Sequence, residues 1–580
     1  MSTKDNPTPD AGVKTGGGET RWTVIAYLAG DNSLADECVY ALTEMKAAET
    51  GAQIEIVAQL DPSGRRVETS RFVISGKADE SRVVTSLAPA GAALKAGNEV
   101  GVVTTAVVTP RGQNGARPRR RRRISDYKLD EVEKGPVEFP RPDGGRTRGV
   151  SRAQPDPQDD GETDSGDPAT LFHFISWAVA NHPADHYMVV LGGHGGGWEN
   201  EFLRDESPKG GTLTMAELGE VFAAVRSELK TKGGEPLVVD VLGLDSCLMS
   251  MAEVCYELRG NVKYMVSTES YGPQSGWPYR TILERMDETI REQGDATPKQ
   301  VAEIIVDEHV DFYVDYALNN GLSVDISMLD VEKVGDLAEE VKRLAEALGE
   351  ELIMGTSVKR EGRTAAREGR SDFLDQIVLA HWEAQSYNGE RFVDLYDFCS
   401  RLRERYHPDF VPPAPPNHPS PAAWREREIK AREKVQERCG AIMELIEETF
   451  VRRSCNVGVA YQYSFGVSIY FPWAEVSPDY TPDNLKFVGD SGWLDFLKAY
   501  VEHTRREPRG FEIDARKFST LTKSKVRKTP LDGRGRDDLI VQSMRNPPIE
   551  VVRGGVSICT RARPETVSLI EDLTEKFTQP

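Results

Sequence analysis

The chain has 580 residues, 39% hydrophobic and 28% charged, enough to build two or more units of about 100 to 200 residues with buried cores, which excludes whole-chain disorder and a disulfide-stapled mini-protein. Lys and Arg total 72 against 93 Asp and Glu, a formal charge of -21, which disfavours wholesale binding to nucleic acid or to an anionic membrane and leaves either only to a local basic patch. The first 20 residues lack an apolar h-region and no run of 18 apolar residues occurs, so a cytoplasmic location is expected. Seven cysteines without a CxxC pair indicate neither a zinc ribbon nor a disulfide framework.

After a polar tail over residues 1–20, read as disordered, residues 22–29 (WTVIAYLA) have the continuous apolar pattern of a buried strand. Gly30, Asp31 and Asn32 then read as a turn and residues 34–45 as a helix, with a second strand from Ile54 (IEIVAQLD) and a third from Arg71 (RFVIS), the last as an edge hairpin. Strand, helix, strand is the opening of a parallel sheet.

From about residue 76 to 165 the periodicity gives way to Gly, Pro, Arg and acidic residues, including the basic run Arg117, Arg119, Arg120, Arg121, Arg122 and Arg123. So long an aperiodic stretch within a compact domain reads as an exposed insertion with a few short strands, 102–108 the best of them. The run has three readings: a solvated loop, a nucleic-acid contact, or a processing site. No aromatic residue interleaves with the arginines, which argues against stacking on bases.

Periodicity resumes with a helix over 169–181, whose apolar stripe is Leu171, Phe174, Ile175 and Ala178. His173 falls outside the stripe and His182 and His186 flank the helix end, so all three read as surface or capping residues. A strand follows at 187–191 (YMVVL), an amphipathic helix at 215–229, a strand at 237–244 (LVVDVLGL), and a helix at 248–258 that buries Met251, Val254, Cys255 and Leu258 at i, i+3, i+4, i+7 spacing. Strands at 262–267 and 322–329 close an α/β body over residues 21–330. Residues 331–505 then read as a helical and small α+β part, with helices at 331–348, 373–384, 392–406 and 422–450, a strand at 466–471 and a helix at 493–503. The 506–580 extension has no legible role.

The chemistry converges on two strand ends. In open α/β sheets ligands bind beyond the carboxyl ends of the strands, and there the sequence sets His194, after YMVVLGG, and Cys247, after LVVDVLGLDS. A thiol becomes a nucleophile when a neighbouring base takes its proton, and the start of a helix after Cys247 would lower its pKa further. Gly195 has no side chain, so its N–H can approach an oxyanion alongside that of Cys247. The glycine-rich turn contains no GxGxxG or GxxxxGK[ST] pattern for phosphate.

Taken together, these features resemble the clostripain-like cysteine peptidases of the caspase-haemoglobinase fold group. His194-Gly195 in GGHGGGW and Asp245-Ser246-Cys247 in LDSCLMS stand where that family has its His-Gly and Asp-x-Cys motifs. WTVIAYLAGDNSL, GDPATLFHFISWAVANHPADHY, STESYGPQSGWPY and GVSIYFP are similar to its opening strand and turn, the helix before the histidine strand, the strand and loop after the cysteine, and a late strand. The resemblance covers roughly residues 22–505, with the basic insertion and the C-terminal extension outside it.

The resemblance implies a caspase-like, mostly parallel sheet flanked by helices, with Cys247 as nucleophile and His194 as general acid and base in a cysteine endopeptidase. It also implies that Asp245 lies near a pocket for Arg or Lys before the scissile bond, where a carboxylate pairs with guanidinium. Asp245 has an equally good reading as a helix cap. Members often mature by cleavage of an internal loop, so the arginine-rich segment 110–152 is read as the part of a zymogen cut by the enzyme itself or by an upstream protease, in a stress or antiviral-defence cascade. Some members depend on calcium; with no DxDxDG loop in the sequence, no cofactor is expected, with calcium modulatory at most. Partners would be protein substrates, with neither membrane nor nucleic acid expected. The alternatives are a catalytically silent scaffold and a nucleic-acid module acting through residues 117–123.

Overall fold

The computed structural model describes residues 20–62, 69–74, 82–86 and 163–506, apart from 200–201, 208–209, 274, 321, 358–371, 412, 415–417 and 474. The basic run, the strand expected at 102–108 and all but the first residue of the 506–580 extension lie outside the described residues. The fold is mixed α/β, with strands β1 Trp22–Gly30, β2 Ile54–Pro62, β3 Ser70–Ile74, β4 Arg82–Ser86, β5 His186–Gly192, β6 Val239–Asp245, β7 Val262–Ser267, β8 Val324–Asp330, β9 Ser386–Tyr387, β10 Phe392–Asp394, β11 Val451–Val457 and β12 Ser468–Tyr470. The helices are α1 Ala35–Ala47, α2 Pro168–Asn181, α3 Met215–Glu228, α4 Ala252–Glu257, α5 Tyr279–Gln293, α6 Pro298–Asn320, α7 Val334–Ser357, α8 Asp372–Glu383, α9 Leu395–Arg405, α10 Pro421–Leu445, α11 Lys486–Ser491 and α12 Trp493–Arg506.

Nine strands form one sheet in the order β11-β8-β7-β6-β5-β1-β2-β3-β4. The five at its centre, β7 to β2, are parallel, and the antiparallel pairs β8/β11 and β3/β4 complete the two sides. The central strands are largely apolar because both faces are covered. Val24, Ala26 and Leu28 enter the core beneath α1, α5 and α6. The alternate residues Ile25, Tyr27 and Ala29 enter the larger core, which α2, α3, α7, α9, α10 and α12 cover.

The chain runs from β1 outward to β2, then returns to place β5 on the other side of β1. The carboxyl ends of β1 and β5 therefore flank the point where the strand order reverses, the crevice in which such sheets bind ligands. The small antiparallel sheet β12-β10-β9 is stitched to this edge: Ser468 N donates to Ser250 O at 2.9 Å, and Ser250 Oγ donates to Gly466 O at 2.7 Å. Gly466 has φ +111°, and a Cβ there would sit 2.9 Å from both Ser327 Cβ and Val451 Cγ1, so only glycine fits the seam.

Several elements depart from expectation. β4, a short strand inside the segment read as an insertion with a few short strands, pairs with β3 and so extends the main sheet, which was not expected. The helix expected at 248–258 starts at Ala252; residues before it form a loop in which Leu248 takes φ +65° and Leu248 N donates to Ser270 O. The helix expected from Phe392 starts at Leu395, because Asp394 accepts from Asp397 N as its N-cap and residues 392–394 pair as β10. His173 is buried, because α2 is covered nearly all round by the sheet, α3 and Arg71. His182 does cap α2, with Nδ1 2.9 Å from Glu55. His186 is half-buried, stacked on Trp22 with its pKa raised by the hydrogen bond to Asp240.

Candidate active site

His194 and Cys247 stand two residues beyond the ends of neighbouring parallel strands, β5 and β6. Ser246 Oγ donates to Gly193 O at 2.8 Å, and Gly193 N donates to Asp245 O at 3.4 Å, tying the two loops together. Gly195 lies directly on the cysteine loop: a Cβ at 195 would meet the Cys247 carbonyl oxygen and come within 2.8 Å of Ser246 Cβ and 3.0 Å of Cys247 N. The fold thus sets the loop that carries His194 and Gly195 against the loop that carries Cys247. Of the six described cysteines, Cys38, Cys255, Cys399, Cys439 and Cys455 are buried, and Cys247 alone is partly exposed. Burial pushes the thiol pKa of Cys38 and Cys255 far up, as an inert structural thiol requires.

One expected activator is absent. α4 begins at Ala252, five residues beyond Cys247, so the helix N-terminus expected just after the cysteine is not there. Any activation of the thiol falls to polar neighbours.

Asp245 does not cap a helix. Its Oδ2 accepts from Tyr279 OH at 2.7 Å and from Trp277 N at 3.2 Å, both at the start of α5, while Oδ1 has no hydrogen bond to a described residue. Desolvation raises the pKa of this carboxyl to about 6, and the two donated hydrogen bonds offset part of the rise. Gly276, at φ +65°, brings bare backbone against it, where a Cβ would sit 2.9 Å from Oδ2. With Oδ2 taking both hydrogen bonds, Oδ1 is left as the acceptor for a further donor.

Three features went unread in the sequence. Ser33, just after β1, lies with Oγ 2.9 Å from His194 Nε2. Its only sequence signal was its place in the turn after the opening strand. Tyr461, from the C-terminal half, lies close enough to Ser270 and Cys247 for both to act on its phenol, whose pKa is raised chiefly by burial. Glu269 and Asp394 are fully buried in side-chain contact behind this edge, with Asp325 against the Glu269 backbone.

Residues 151–409 match the model of the clostripain family. Clostripain of Hathewaya histolytica is 25% identical over 280 residues, 42% of this chain, and the match spans about half (49%) of that relative's length. Two solved structures are similar. An inactive zymogen C11 protease of Parabacteroides distasonis is 17% identical, with TM-score 0.47 over 82% of this chain and 99% of its own. A secreted C11 cysteine protease of Bacteroides thetaiotaomicron, in complex with an irreversible peptide inhibitor, is 14% identical, with TM-score 0.46 over 82% and 99%.

Proposed function

We propose that this protein is a cysteine endopeptidase in which His194 and Cys247 form the catalytic dyad. The observation that carries the reading is the packing of the His194-Gly195 loop on Cys247 at the carboxyl ends of adjacent parallel strands, with Cys247 the one described cysteine that is not buried. The thiolate attacks the scissile carbonyl, His194 passes the proton to the leaving amine, and water resolves the acyl-enzyme. The amides of Gly195 and Cys247 receive the oxyanion. Asp245 favours Arg, with Lys accepted, before the scissile bond. A peptide electrophile ending in arginine tests this: covalent labelling at Cys247, lost in Cys247→Ala, supports the reading, and no labelling of Cys247 refutes it.

Zymogen control belongs to the same proposal. Ser86 pairs with Ser70, which pairs with Leu60, so β4 ends at the carboxyl edge of β2. The chain re-enters at the same edge: Thr163 N donates to Thr69 Oγ1, Ser165 Oγ donates to Asp61, and Ser165 N donates to Asp205 in the loop that follows His194. The intervening residues thus begin and end on the dyad's side of the sheet and contain Arg111, Arg117, Arg119 to Arg123, Arg141, Arg146, Arg148 and Arg152, the residue type the Asp245 pocket takes. Cleavage between 110 and 152, by the enzyme itself or by an upstream protease, would release a block at the cleft. Such control suits a stress or defence cascade.

A further inference from the structure

We propose that Ser33 is a positioning residue of the dyad, its hydroxyl holding Nε2–H of His194 so that Nδ1 is the nitrogen that takes the thiol proton. This rests on the peptidase reading above and adds a third member to its machinery.

The argument begins with strand order. β5 lies between β1 and β6 in the sheet. His194 follows β5, Ser33 follows β1 and Cys247 follows β6, so the loop that carries the imidazole lies between the turn that carries the hydroxyl and the loop that carries the thiol. Ser33 Oγ engages Nε2 at 2.9 Å. The two nitrogens of one ring point in divergent directions, so a ring held through Nε2 on the β1 side presents Nδ1 toward the β6 side.

Ser33 is also held firmly. Asn32, buried beside it, donates through Nδ2 to Ala29 O at 2.9 Å and to Arg204 O at 2.6 Å, and accepts from Leu34 N at 2.8 Å. Glu206 N donates to Asp31 O at 2.8 Å. The turn is therefore bonded to the strand before it, the helix after it and the loop beyond His194. Ser33 itself supports none of this: α1 has no side-chain cap, and the hydroxyl has no described partner other than His194. An exposed serine whose one described side-chain bond goes to the candidate base is unexplained by folding alone.

The chemistry follows from which nitrogen carries the proton. With Nε2–H donated to Ser33 Oγ, Nδ1 holds a lone pair. The thiol proton moves from Cys247 Sγ to Nδ1, the electron pair stays on sulfur, and Nε2 keeps its hydrogen bond throughout. That bond strengthens as the ring becomes cationic, because a charged donor makes a stronger hydrogen bond than a neutral one. On acylation the Nδ1 proton passes to the leaving amine, and the ring returns to its starting tautomer.

The test compares wild type with Ser33→Ala, Ser33→Thr and His194→Ala in the full chain. It measures kcat and KM on an arginyl peptide and the rate of Cys247 alkylation by iodoacetamide across pH. Ser33→Ala is expected to lose about tenfold in kcat, the scale of one hydrogen bond to a charged group, with KM within about twofold. The alkaline limb of its alkylation profile should move to lower pH, since the imidazolium has lost a partner. Ser33→Thr, which keeps the hydroxyl, should restore both. A Ser33→Ala enzyme matching wild type in rate and pH profile would overturn the role of Ser33 while leaving the dyad standing, as would a Ser33→Thr enzyme no better than Ser33→Ala. Wild-type Cys247 that alkylates no faster than in His194→Ala would overturn the dyad itself and Ser33 with it.

Discussion

Ser246 clasps Gly193 through a 2.8 Å hydrogen bond from its hydroxyl to the glycine carbonyl, so the residue before Cys247 holds the residue before His194. The two loops are thereby fixed to each other, and the dyad is the first thing to test. Cys247→Ala should abolish peptide cleavage, and His194→Ala should lower it by about 10²- to 10⁴-fold, the usual scale of a lost general acid and base. Cys255→Ala should leave turnover in place, because Cys255 lies on the buried face of α4. An essential Cys255 beside a dispensable Cys247, read from initial rates on a peptide substrate, would move the nucleophile and sink the assignment.

The half-held carboxyl of Asp245 gives a pH signature. Burial raises its pKa to about 6, so the ionised form that pairs with guanidinium grows as pH rises through that value. kcat/KM on an arginyl substrate should therefore climb through about pH 6 and level off above it, since this ratio reports groups of the free enzyme. In Asp245→Asn, which keeps an oxygen for Tyr279 and Trp277, the ratio should fall by about 100-fold for arginyl substrates, as expected for the loss of a charged hydrogen-bonded pair. A neutral residue at the same substrate position should be cut almost as before. An unchanged preference for arginine in a peptide-library profile would take Asp245 out of the pocket.

The parts of this fold that were legible in the sequence are those where one signal dominates. The parallel core strands are short, apolar and bounded by turns, and His194, Cys247 and Asp245 stand directly at their ends. β11 was not legible because VRRSCNV is an outer strand with two partly buried arginines, following without a break on a long helix. The loop at 246–251 was misread because Met251, Val254, Cys255 and Leu258 do have helical spacing. Tertiary bonds from Ser250 to the small sheet and from Leu248 to Ser270 override it over the first residues. Ser33 and the Glu269–Asp394 contact join residues 161 and 125 positions apart; no local pattern announces such pairs.

That buried pair should govern how stability depends on pH. Glu269 Oε1 is buried with no donor facing it, and Asp394 lies in side-chain contact with Glu269, so a proton shared between them satisfies both. Desolvation, with Asp325 and Asp397 nearby as further negative groups, raises both pKa values; Tyr387 also faces the pair, and Arg401 neutralises Asp397. A carboxyl whose folded pKa is raised contributes stability that is complete below the unfolded value near 4 and is lost as pH rises through the folded one. Glu269→Gln replaces the shared proton with an amide N–H and keeps an acceptor for Gly466 N. Its Tm should therefore fall less than that of wild type between pH 5 and 8, by about 2 °C. Parallel melting curves would contradict the shared proton.

Processing is tested on a gel. Wild type carried through purification should show fragments from a cut between residues 110 and 152 that Cys247→Ala lacks. Replacing Arg117 and Arg119 to Arg123 with Gln should slow their appearance. Full turnover by an intact chain, unaffected by that replacement, would reduce the segment to a linker.

The position of β1 carries a consequence for any such cut. It is bonded along its length to β2 on one side and to β5 on the other, in the middle of the sheet. A nick between 110 and 152 would therefore make two polypeptides that share a single hydrophobic interior, not two modules. Ser33 would belong to one and His194 with Cys247 to the other, so the mature enzyme would be an obligate heterodimer encoded by one chain. Separating the halves would dismantle the site, and inactivation by dilution or denaturant would follow the integrity of that shared sheet.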